Sequence, residues 1–362
     1  MSSSKSSPLR PTTKRAGSEH HTPPPSSQAE LKNQLFESEI RGHAWEFDAQ
    51  TVAKMLSADA IFPSDVLVNS AYGSLKRAGL PVWPDEGAEQ RWYPPLQTFL
   101  NGCVEACNGA LDGSQGEVGR DKRWYGDLNF IVYDRLTEDG IHGSAPLKPD
   151  LVGGLGLNLN PTERAAWSPI GQKVNQVLLP VEVKNDWAQL VAQAATYARC
   201  LFSASPSRQF ALTLGFQQSK AELRFLVFHR GGLTSSKPLS VQDKKGQQDI
   251  LRIFLSILNW KSSIDAGFLD FSNDIDMFLP LRKNEETGVV ATLLEVLHDG
   301  LCVLGRASRV LLMEYAPPEK AQEPKPEVST PDTGVRTRGR RKAEAQAKQE
   351  DETSMSFHVS YA

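Results

Sequence analysis

Short runs of apolar residues fill the middle of the chain, and apolar residues at helical spacing lie on either side of them. Residues 124–133, 149–155 and 177–184 read as strands: each is compact, rich in β-branched or aromatic residues, and bounded by Gly, Pro, Asn or Asp. The third ends with Glu182 and Lys184 two apart, so in an extended backbone both side chains leave the same face. Asp186 is placed to cap a helix over 187–202, and 210–216 and 223–229 predict two further strands joined by a polar turn. Upstream, 31–57 has helical spacing at Leu35, Ile40, Trp45, Val52 and Leu56, with a break expected near Gly42. After the punctuation of Pro63, Gly79, Pro81 and Pro84, residues 86–111 predict a helix interrupted or started at Pro94-Pro95. Downstream, 247–260 is another apolar-periodic helix, 266–278 looks irregular, and 289–303 is apolar. Helix, three strands, helix, two strands predicts an α/β (α+β) fold with a mixed central sheet flanked by helices.

The ends differ from the middle. Residues 1–30 are rich in Ser, Pro and Thr, and from Ala316 onward Pro, Glu, Lys and Ser dominate. Neither stretch has the apolar content to offset the entropy of ordering, so both read as disordered tails. The expected division is therefore a tail at 1–30, a helical lead-in and first core helix at 31–111, a core at 112–232, a helical extension at 233–315 and a tail at 316–362. Inside the last, Arg336, Arg338, Arg340, Arg341 and Lys342 form a basic cluster with either a nuclear-targeting or an ordinary solvated role.

Composition narrows the function classes. With 40 Lys+Arg against 43 Asp+Glu the net charge is −3, so nucleic acid would have to be held by a local basic patch, since the chain as a whole does not attract it. The four cysteines are too few and scattered for a disulfide framework or a zinc site, and the seven histidines do not cluster. No segment has the length of a membrane span or the pattern of a secretory signal; the expectation is a soluble intracellular protein of nucleus or cytoplasm with no membrane partner.

The candidate chemistry sits at the strand ends. Asp150, from Lys148-Pro149-Asp150, can join Glu182 and Lys184 from a neighbouring strand. Two carboxylates offer hard oxygens to Mg²⁺ or Mn²⁺, and an adjacent ammonium orients or deprotonates an attacking water. Beside two acids, Lys184 should stay protonated without metal. Gln193 and Tyr197, four apart, share one helix face and could hold phosphate or a base there. Glu105 and Glu89 are both candidates for a further upstream acid, and Glu105 fits better in register because it follows an apolar helical stretch. The alternative for this set is a partly buried ion network. His229-Arg230-Gly231-Gly232 reads as a turn, and Gly153-Gly154-Leu155-Gly156 lacks the Gly-Lys-Ser/Thr ending of a phosphate loop.

Asp150, the Glu-Val-Lys strand and the trailing Gln-x-x-x-Tyr resemble the PD-(D/E)xK nuclease-like group, which implies a restriction-endonuclease-like core with helical additions. A broader likeness covers roughly 31–315: Lys148 to Gly153, Glu182-Val183-Lys184, Ala195 to Arg199 and Phe225 to Gly231 resemble the module that precedes the kinase domain in fungal-type protein kinases. Gly305-Arg306-Ala307-Ser308 is similar to the glycine phrase that opens the kinase domain there, with Ala307 in place of the second glycine. The strand Lys, catalytic-loop Asp and Asn, and Asp-Phe-Gly that phosphoryl transfer needs are not found after Val310, so no kinase activity is expected of this chain. The resemblance implies a noncatalytic or regulatory family module with the kinase half missing. Two other readings stand beside it: a Mg²⁺/Mn²⁺-dependent nuclease cleaving DNA or RNA through Asp150, Glu182 and Lys184, and a scaffold for nucleic acid, a kinase-family protein or another protein.

Overall fold

The computed structural model describes residues 36–268 apart from 59–61, 115–118, 138–146, 161, 168–174 and 206–207, and beyond them the backbone of 276–280, 288–299, 309–316 and 356–359. The tail expected at 1–30, the basic cluster at 336–342 and residues 304–308 of the glycine phrase lie outside the described residues.

The 31–57 stretch is not one helix. A π-helical turn at Phe36–Ile40 ends at Gly42, whose φ of 90° no ordinary side chain adopts readily, and the chain then extends as β1 (Ala44–Phe47) before α1 (Ala49–Met55). β1 pairs in parallel with β7 (Gly232–Ser236), and this pairing overrides the local helical spacing. α2 (Asp65–Ala78) was not foreseen, although its signals are present. Ser64 accepts the Leu67 N–H at 3.3 Å, Val68, Ala71 and Leu75 form a buried stripe, and Gly79 closes the helix with a φ of 92°. A short 3-10 turn (Glu89–Trp92) leads into α3 (Tyr93–Asp112), which begins where Pro94 and Pro95 occupy first-turn positions that need no backbone donor.

The remaining elements are β2 (Leu128–Val132), β3 (Leu151–Leu155), β4 (Leu179–Lys184), α4 (Trp187–Ala204), β5 (Phe210–Gln217), β6 (Glu222–His229), β7, β8 (Leu239–Ser240) and α5 (Lys244–Leu258). They form an eight-stranded mixed sheet in the order β1-β7-β6-β5-β4-β3-β2, with β8 on β6. β4 runs parallel to β5, whereas β2, β3 and β4 are successively antiparallel. One face of the sheet, including Phe130, Leu151, Val181, Val183 and Phe225, packs against α1, α2, α3 and α5. The other, including Val152, Ala211, Leu226 and Phe228, packs against α4. The alternation of buried side chains along β4 thus sends Val181 and Val183 to one layer and leaves Glu182 and Lys184 for the other.

Two expected boundaries shift. The sheet begins at residue 44 and continues past 232, because β7 and β8 extend it. Among the described residues of 233–315, one helix, α5, is followed by β9 (Asp276–Pro280), β10 (Gly288–Asp299) and β11 (Arg309–Ala316). With β12 (Ser356–Val359), from the stretch expected to be disordered, these make a second, antiparallel sheet in the order β12-β11-β10-β9. The glycine phrase falls in sequence between β10 and β11. Among the described residues no helix is long and apolar enough to cross a membrane.

Close contact between α4 and the sheet depends on Gly215 of β5, where an added Cβ would overlap Leu190 Cδ2. Gly215→Ala must displace the buried Leu190 side chain that α4 packs against the strands carrying Glu182 and Lys184. The expected loss is about 1–3 kcal/mol, read from the urea midpoint at unchanged m-value.

Candidate functional site

The β3–β4 register pairs Leu151 with Val181, so Asp150, one residue ahead of β3, falls opposite Glu182. Asp150, Glu182 and Lys184 converge at this strand end. The Lys184 Nζ lies 3.1 Å from Glu182 Oε1 and 3.8 Å from Asp150 Oδ2, and it donates to Glu89 Oε1 at 2.8 Å and to the Val183 carbonyl at 2.9 Å. Four oxygens therefore surround one ammonium.

Of the two upstream acids, the structure brings Glu89 to this cluster and not Glu105. α3 meets the strand ends with its N-terminus, next to the turn that carries Glu89. Glu105 lies twelve residues further on, about 18 Å along the helix axis. There it binds Arg120 through both oxygens, at 2.8 and 3.1 Å, and borders a separate cavity of about 500 Å³ beside Trp124 and Leu155. Its apolar surroundings along α3 favoured it in the sequence but say nothing about which end of the helix faces the strands.

Two tyrosines complete the cluster. The Tyr93 hydroxyl, at the start of α3, lies 2.6 Å from Asp150 Oδ1 and 2.8 Å from Glu89 Oε1. Tyr93 was not foreseen; the only signal for it is its place immediately before the two prolines that start the helix. On the α4 side, the Tyr197 hydroxyl lies 2.6 Å from Glu182 Oε2 and 3.1 Å from the Lys148 carbonyl, and accepts from Gln193 Nε2 at 3.0 Å. Gln193 and Tyr197 share a helix face as expected, and that face is buried against Glu182.

Burial governs the charges. Asp150 and Glu182 are 6% and 3% exposed. Desolvation, reinforced by Asp150, pushes the Glu182 carboxyl up to about 8, against the smaller opposing pull of Lys184 and Tyr197. Hydrogen-bond counting agrees. A protonated Glu182 donates to the Tyr197 oxygen, leaving the Tyr197 proton for the Lys148 carbonyl, so each short contact has its own hydrogen. Desolvation also raises Asp150 above the usual carboxylate range, although Lys184, the Tyr93 hydroxyl and the Val183 N–H at 2.7 Å all favour its charged form. Lys184 is the reverse case: burial works against its charge, but Glu182, Asp150 and Glu89 together outweigh it and hold the ammonium above its ordinary range.

The set as arranged does not fit a divalent cation. The oxygens that would ligate one are already engaged: Asp150 Oδ1 by Tyr93, Asp150 Oδ2 by the Val183 N–H, Glu182 Oε2 by Tyr197, and Glu182 Oε1, Glu89 Oε1 and the Val183 carbonyl by Lys184. Among the described residues no three His, Cys, Asp or Glu side chains are grouped as metal ligands. Lys184 itself stands where a cation would.

In comparisons with known proteins, the family described as fungal protein kinase matches residues 156–316. The match begins after Asp150 and takes in Glu182, Lys184, Gln193 and Tyr197. No curated protein and no solved structure matches the chain.

Proposed function

We propose that the chain is a noncatalytic, regulatory or partner-binding member of the fungal protein kinase family, built on a restriction-endonuclease-like core. In this reading the PD-(D/E)xK residues Asp150, Glu182 and Lys184 serve as a closed ionic core. The observation that carries it is the position of the Lys184 ammonium, which takes up the charge of the surrounding carboxylates with no metal needed. The family match over 156–316 and the resemblance of the segments around Asp150 and Glu182 support the family part.

A nuclease reading has one observation in its favour: Glu89, Asp150, Glu182 and the Val183 carbonyl aim oxygens at a common point. It requires Lys184 to leave that point, so that Mg²⁺ or Mn²⁺ supplies Lewis-acid chemistry to a phosphodiester. Incubating the purified chain with single- and double-stranded DNA and with RNA, in Mg²⁺, Mn²⁺ and EDTA, separates the two. The expected result is no cleavage above a Lys184→Ala control. Metal-dependent cleavage that is lost in Asp150→Ala and in Glu182→Ala would replace the noncatalytic reading with the nuclease one.

A further inference from the structure

We propose that residues 79–89 form a strap that closes the Lys184 cluster, with Glu89 as its latch. The proposal rests on the reading of that cluster as a self-contained ionic core, and adds that one wall of the core is detachable. Asp150, Glu182, Lys184, Tyr93 and Tyr197 all sit on or beside sheet strands and the long helices packed on them, whereas Glu89 stands at the first position of a four-residue 3-10 turn. That turn is entered from Ala88 without a side-chain cap. The strap leaves α2 at Gly79 (φ 92°) and carries Gly87 (φ 132°) two residues before the latch, both conformations that glycine alone adopts cheaply. Leu80 and Val82 along it are exposed, Val82 at 92%.

Besides the local bond from Arg91 Nη1 to the Glu86 carbonyl at 3.3 Å, two side chains tie the strap to the body. One is Trp83, which stacks on Trp92 and Phe216 with ring centroids 6.2 and 5.7 Å away and meets Phe99 edge-on at 5.7 Å. The other is Glu89, whose Oε1 meets both the Lys184 ammonium and the Tyr93 hydroxyl. The Glu89–Lys184 pair is 28% exposed on each side, so water already reaches the contact and competes with it. With the strap released, Lys184 keeps its partners within the sheet and gains an open side.

Pulsed acetic anhydride labelling of the full chain reads this directly, with Lys184 acetylation followed by mass spectrometry and the surface Lys148 as internal reference. Hydrogen exchange of the 80–92 amides runs alongside. Glu89→Gln removes the latch. Gly79→Ala strains the hinge without touching the cluster, since nothing lies within 4 Å of the added Cβ. The expected result is about fivefold faster Lys184 labelling in both variants, with faster exchange at 80–92 than in α3. Wild-type labelling in a folded Gly79→Ala variant would overturn the strap. If that variant does not melt cooperatively, unchanged 80–92 exchange in Glu89→Gln overturns it instead. Neither readout depends on nucleic-acid cleavage, so failure of the strap and failure of the noncatalytic reading give different results.

Discussion

Replacing Lys184 with methionine lowers the unfolding free energy by about 3–5 kcal/mol at pH 8, the range for breaking a buried ion pair by removing one partner. The ammonium pairs with all three of Glu89, Asp150 and Glu182, at 2.8, 3.8 and 3.1 Å. Methionine fills much of its volume, so the loss reports charge and hydrogen bonds more than a cavity. The deficit shrinks at pH 5, where protons on the desolvated Asp150 and Glu182 carboxyls replace the charge of the lysine. Guanidinium unfolding of wild type and variant at the two pH values measures both parts; equal stability of the two proteins at pH 8 would contradict the ionic-core account.

The second large effect is on pH dependence. The Glu182 carboxyl titrates near 8 in the folded chain against an ordinary value of 4.5, so between these limits the folded state holds a proton that the unfolded state has released. Stability from this group is complete below about pH 4.5, falls as pH rises through neutrality, and levels off above about 8. Allowing for coupling to Asp150, the fall is on the order of 2 kcal/mol. Glu182→Gln keeps a donor for the Tyr197 oxygen and cannot titrate. Its stability should decline less over this window than that of the wild type, the remaining slope coming from groups such as Asp150, and exceed that of the wild type at pH 8. Wild type and variant declining in parallel from pH 5 to 8 would place the titration elsewhere.

The strands that carry the cluster were legible because their information is local. A compact apolar run ending in Glu182 and Lys184 specifies both the strand and the shared face, and Asp186 marks the next helix, whose side chain accepts the Gln189 N–H at 2.8 Å. The upstream acid was not legible. Choosing between Glu89 and Glu105 requires knowing which end of α3 abuts the strand ends, and helical periodicity is the same at both. Tyr93 was hidden for the same reason. β1 was misread because Trp45, Val52 and Leu56 satisfy a helical spacing in isolation, and the parallel partner β7, almost two hundred residues away, makes an extended backbone the better solution. α2 escaped because its apolar stripe of Val68, Ala71 and Leu75 is narrow.

The two margins of the large sheet are finished differently. At β2, Asn101 of α3 donates to the Phe130 carbonyl and accepts from the Phe130 N–H, at 2.9 and 2.7 Å, while Gln97 donates to the same carbonyl. One asparagine amide thus imitates the backbone of a neighbouring strand and blocks that margin. At β1 the side chains of Ala44, Trp45 and Glu46 are exposed, and among the described residues no strand pairs with its outer side. Among the described residues this sheet has one available margin, and so a valence of one for strand addition. If folded copies associate through this sheet, growth stops at a pair, because each partner's second margin is already closed by its own helix.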